Sequence, residues 1–193
     1  MQGNAIQLVS QALRDFLQSA LAAQSIPGPV YVGPLDDTDA AGASVVLFLY
    51  RIVANADLRN AEHRLPGPTP TDPPVVIEGG LPLDLYYLVT GWTTASGQGG
   101  GELDSLRVLG CAMQALNDTA NLVGLPVQGE TVRLTLEPVN SEEMSRIWTL
   151  FPTANYRTSV VYLASPVWVD PAAPATPAAP VTDELYAVGH GAP

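Results

Sequence analysis

Apolar side chains recur at a three–four spacing from the start of the chain. Ile6, Val9, Leu13, Phe16, Leu17, Ala20 and Leu21 line one face of a helix over residues 4–23. Asn4 stands where a cap belongs, and Pro27-Gly28-Pro29 closes the segment. A short strand over 30–33 then leads to a polar turn holding Asp36, Asp37 and Asp39. From 43 to 53 the sequence is β-rich and almost unbroken in apolarity, which predicts a strand covered on both faces. Residues 64–74 contain five prolines and read as an exposed loop without regular structure.

Leu83, Leu85, Tyr87 and Val89 alternate along a strand predicted over 81–92. The run 96–101 holds four glycines and reads as a mobile loop. A second helix follows over 102–118, with Glu102 and Asp104 suited to its positive N-terminal end. Its predicted buried stripe is Leu103, Leu106, Leu109, Gly110, Met113 and Leu116 or Asn117, with Gly110 admitting another element at close range. Thr131–Pro138 alternates as a half-exposed strand. Asn140 with Glu143 three residues on marks a capping box that opens a third helix over 141–151. A last strand is expected over 156–163 and 167–169. Helices and strands in this irregular order predict an α+β fold, one domain over 1–170 with a mixed or antiparallel sheet flanked by helices. A Pro/Ala-rich linker and tail would occupy 171–193, carrying a small apolar cluster of Leu185, Tyr186 and Val188.

Composition narrows the functions open to such a fold. Hydrophobic residues make up 47% of the 193 and charged residues only 14%, so part of the surface is expected to be hidden against a partner. All 8 basic residues are arginines, which removes Schiff-base lysines and lysine-bearing phosphate loops. A formal charge of −11 opposes both nucleic acid and anionic membrane surfaces, and leaves a basic protein partner open. One cysteine, Cys111, excludes an internal disulfide and reads as a small buried hydrophobe. The N-terminus lacks a signal-peptide pattern and no stretch suits a membrane span, so assembly in the cytoplasm is expected.

No catalytic constellation emerges. His63 and His190 are not at ligand spacing from another His or Cys, and both read as solvated. The glycine run lacks a following Lys-Ser or Lys-Thr, and Glu102 and Asp104 would repel a phosphate. The aspartates at 36, 37 and 39 lack the glycine and terminal glutamate of a calcium loop and read as a solvated turn. No metal or cofactor is expected.

Several blocks in order carry a resemblance. They are Leu47-Phe48-Leu49-Tyr50-Arg51 with Asn55 and Leu58-Arg59-Asn60; the run from Leu81 to Thr90; Leu109-Gly110 with Ala112-Met113; the run from Glu142 to Trp148; and the run from Tyr156 to Tyr162. Over residues 4 to about 170 the chain resembles the N-terminal domain of the cap, or tail-terminator, proteins of contractile injection systems. The resemblance implies a non-enzymatic subunit of a homo-hexameric ring that closes the inner tube and contractile sheath of a phage-tail-like particle. Longer members of the family carry a larger C-terminal region; here a proline–alanine tail follows the domain, and no role of that region is carried over.

Within those blocks Leu83, Leu85, Leu109, Met113, Val160 and Tyr162 are expected in the core. Periodicity turns Arg51, Arg59, Tyr86, Arg146 and Arg157 outward, and arginine and tyrosine are enriched at protein contacts. With Leu185 and Tyr186 of the tail they form the candidate interface set. The alternatives are a small-molecule or peptide-binding module using the glycine-rich loop as a lid, and a hydrolase whose carboxylates only the fold brings together.

Overall fold

The computed structural model describes residues 3–67, 69, 71, 73–92 and 101–172. Its centre is a six-stranded mixed sheet in the order β1-β2-β5-β8-β7-β6. The strands are β1 (Val30–Val32), β2 (Val45–Ala54), β5 (Leu81–Gly91), β6 (Asn121–Val123), β7 (Thr131–Glu137) and β8 (Ser159–Val169). β1 runs parallel to β2, and the other pairings are antiparallel. β3 (His63–Leu65) and β4 (Val75–Ile77) form a separate two-stranded sheet. Three helices complete the domain: α1 (Ala5–Ala23), α2 (Gly101–Asp118) and α3 (Ser141–Trp148). The α+β reading holds, and so does the placing of the helices.

Two apolar clusters lie on opposite faces of the sheet, as the period of two along a strand requires. On one face Leu83, Leu85, Tyr87 and Val89 of β5 pack beneath Val9, Leu13, Leu17 and Leu21 of α1 and Val108, Leu109, Ala112 and Leu116 of α2. The Tyr87 ring is wholly buried there. Ser10 Oγ donates to the Ile6 carbonyl, so the Tyr87 hydroxyl donates to Ser10 Oγ at 2.8 Å and pins α1 to the sheet. On the other face Val46, Leu88 and Val161 meet Ile147 and Trp148 of α3, with Phe151 and Leu35 beside them. Phe48 and Phe151 stack edge to face at 5.0 Å. α3 begins as its sequence predicts: Asn140 Oδ1 accepts from the Glu143 N–H at 2.8 Å.

Several expectations need correction. Asn4 precedes α1 but its side chain makes no capping bond. β2 is buried on both faces only at its start; Arg51 and Ile52 are exposed beyond a bulge between Leu49 and Arg51. The proline-rich stretch is bracketed by β3 and β4, three-residue strands that stop before its first proline and start after its last. α3 stops at Trp148 rather than 151, and β8 is one strand starting at Ser159. β6 was not anticipated. The glycine run at 96–100 lies outside the described residues.

The buried stripe of α2 is rotated from its predicted position. Ser105, Val108, Leu109, Ala112 and Leu116 face in, while Leu103 and Leu106 are 71% and 41% exposed. No described residue lies within 4 Å of where a Cβ on Gly110 would sit; the close approach belongs to Gly91 at the end of β5, where a Cβ would run into the Ser105 carbonyl. Gly91→Ala should therefore cost about 1–3 kcal/mol, read as a melting point lowered by roughly 2–12 °C. Gly110→Ala should hold or raise the melting point, because alanine is the better helix former by ~1 kcal/mol and the space is open. Equal behaviour of the two variants would contradict this packing.

Candidate assembly surfaces

The predicted interface residues do not converge on one place. Arg51 and Tyr86 come together: neighbouring strands bring the guanidinium over the Tyr86 ring at 5.0 Å, and Tyr50 meets the same ring at 6.3 Å. Glu143 of α3 reaches Arg51 at 3.9 Å. Burial, with Glu143 next in weight, pushes the Tyr50 phenol up to about 12, and burial also raises Tyr86, so both remain hydrogen-bond donors. Arg146 lies one turn along α3 and pairs with Glu142 at 2.6 Å, with both groups largely exposed. Arg59 is exposed beyond the end of β2. Arg157 is half-buried rather than outward: it stacks over Trp92 at 4.4 Å and reaches Ser105 Oγ at 3.5 Å, bracing the start of β8 against α2. Leu185 and Tyr186 lie outside the described residues.

Two open grooves lie elsewhere on the surface. One, of about 610 Å³, runs along α3 and is lined by Met144, Trp148 and Tyr156. Another, of about 490 Å³, lies between the C-terminal half of α2 and β7, lined by Met113, Leu116, Arg133, Leu136 and Tyr162. Exposed large apolar side chains lie on several elements: Ile52 on β2, Val75 and Val76 on β4, Leu81 on β5, Leu103 and Leu106 on α2, Val123 on β6, Leu136 on β7, and Leu150 and Tyr156 after α3. Among the described residues no three metal-ligating side chains converge, and no helix is long and apolar enough to cross a membrane.

The polar groups the sequence misread are structural clasps. His63 is 2% exposed rather than solvated. Its Nδ1 lies 2.6 Å from Asp170 Oδ1, its Nε2 lies 2.9 Å from Glu130 Oε1, and its ring stacks on Trp168 at 4.6 Å. The Nε2–Glu130 approach has ion-pair distance without hydrogen-bond alignment. Together these contacts fasten the base of the β3–β4 hairpin to the end of β8 and the start of β7. Partners 67 and 107 residues away leave no local signal for this. Asn55, Asp84 and Ser165 form a second clasp: Asn55 Nδ2 donates to Asp84 Oδ1 at 2.9 Å and Ser165 Oγ donates to the same oxygen, joining the end of β2 to β5 and β8. Asp37 caps a 3-10 turn at Thr38–Ala40 by accepting from the Asp39 N–H, and also accepts from the Tyr31 hydroxyl at 2.7 Å. These bonds, the backbone one first, hold its carboxyl below the usual range. The aspartate turn is thus a cap as well as a solvated surface.

Residues 8–183 match the family model described as the Pvc16 N-terminal domain. The chain belongs to that family. Two solved structures share the fold of this Pvc16 N-terminal domain. The PVC sheath/tube terminator of an extracellular contractile injection system, in its extended state, aligns at TM-score 0.60 and 21% identity, over 97% of this chain and 64% of that one. The anti-feeding prophage cap, a tube-terminating cap, aligns at TM-score 0.59 and 20% identity, over 93% of this chain and 60% of that one. The chain thus spans less than two thirds of either neighbour. Among curated proteins no sequence matches it.

Two outcomes are expected. His63→Ala removes a stacked, doubly contacted ring between buried carboxylates and should cost roughly 2–4 kcal/mol in urea unfolding; a loss below about 0.5 kcal/mol would contradict the clasp. The lowered Asp37 carboxyl contributes stability above its unfolded-state range and loses it as pH falls through its folded value. Asp37→Ala should therefore melt below the wild type at neutral pH, with the gap narrowing well below pH ~4. A gap that widens on acidification would overturn the assignment.

Proposed function

We infer that this chain is a non-enzymatic structural cap of a contractile injection particle, a ring subunit that terminates the inner tube and its sheath. Membership of the Pvc16 N-terminal domain family over residues 8–183 carries the reading. The shared fold with a sheath/tube terminator and a tube-terminating cap supports it. So does the surface. A subunit in a closed ring touches its two neighbours through different patches, and this domain exposes large apolar side chains on several different elements. The ring is proposed to be a hexamer, assembled in the cytoplasm and free of nucleic acid. The Arg51–Tyr86–Glu143 cluster and Arg146, on the α3 face, are its proposed contacts with tube or sheath; both ride on rigid elements and combine cationic and aromatic groups.

Light scattering of the purified chain over a concentration series, alone and then with tube and sheath subunits, tests this. A hexamer in solution, or one that forms on tube ends, is the expected result. A chain that stays monomeric and ignores both partners would overturn the reading.

A further inference from the structure

The hairpin and the groove beside α2 are complementary, and both are left uncovered by the described residues. The β3–β4 sheet has only two strands, too few to be stable alone, and rests on its anchored base at His63. Its second strand exposes Val75 and Val76 at 47% and 44%, and among the described residues has no strand on its outer edge. An exposed apolar edge strand is an invitation to pair. Glu78 follows it directly, exposed and without an ion pair among the described residues.

The groove offers the matching half. β6 covers β7 only from Thr131 to Arg133, which leaves the outer edge of β7 from Thr135 to Glu137 without a neighbouring strand among the described residues. Leu136 on that stretch is 48% exposed, with Met113 and Leu116 of α2 across the groove. Arg133 stands exposed at its rim and likewise makes no ion pair among the described residues. An open backbone edge, an apolar floor and one unpaired cation suit an extended apolar strand carrying one carboxylate. The hairpin cannot fill the groove of its own chain. Its base is clasped beside Glu130, six residues from Leu136, which is roughly 20 Å of strand.

We propose that the β3–β4 hairpin of one subunit docks along the open edge of β7 in the α2 groove of a second copy, with Glu78 of the first paired to Arg133 of the second. The contact joins two different patches, so it repeats head to tail and closes into a ring when the rotation allows. The proposal rests on the ring-forming cap reading and names the surfaces that reading needs.

Charge reversal tests it in the full chain. Glu78→Arg and Arg133→Glu should each raise the ring-forming concentration by at least roughly tenfold, and the double variant should recover most of the loss. Both positions are exposed, and unchanged melting points confirm intact folds. Independently, Val76→Cys and Leu136→Cys, made in separate chains that carry Cys111→Ala, should form a mixed disulfide dimer when combined under oxidising conditions. Rings that assemble normally in both charge variants, without that disulfide, would overturn the docking while leaving the cap reading intact. A wild-type chain that forms no ring, even at tube ends, would overturn both.

Discussion

The antiparallel pairing of β5 with β8 is the constraint on which the rest of the domain depends. Both strands sit inside the sheet, and each buries side chains on both of its faces. A strand so placed must be covered above and below, and the chain supplies unequal covers. Two long helices close one face. The other is closed by an eight-residue helix, a short 3-10 turn and the aromatic contacts of Phe48, Trp148 and Phe151. The thinner cover leaves the Tyr50–Arg51–Tyr86 cluster at the surface, where a partner can reach it. The same economy appears at the sheet margins. β1 and β6 are three residues long against β2 and β7 of ten and seven, so each inner strand has an edge that no described strand covers.

Local features were legible in the sequence and nonlocal ones were not. The capping bond from Asn140 to Glu143 spans three residues and is written into them. The period of α1 has only one apolar stripe and admits one reading. α2 carries two overlapping stripes, one through Leu103, Leu106 and Met113 and one through Val108, Ala112 and Leu116, and periodicity alone could not say which faces in. Tertiary contact decided: Gly91 lets Ser105 settle onto the end of β5, and that fixes the rotation of the helix. The same blindness placed the close approach at Gly110. His63 read as solvated because the groups that bury it arrive from β8 and from the turn before β7. β3 and β4 were hidden by the prolines between them.

The interface set divides along the same line. Arg51 and Tyr86 are outward because strand alternation says so, and their neighbouring strands join them. Arg157 was turned inward by Trp92, which the sequence separates from it by 65 positions. A low charge content proved informative in a particular way. Large apolar side chains stand exposed on β2, β4, β5, α2, β6 and β7 and after α3, the surface that so few charged residues leave uncovered.

The account stands or falls on termination. The most direct measurement is the length distribution of tubes and sheaths polymerised with and without this chain, read by electron microscopy. The account predicts that adding the chain halts growth and leaves density of the chain on one end only. Unchanged lengths, with bare ends at saturating chain, would contradict it.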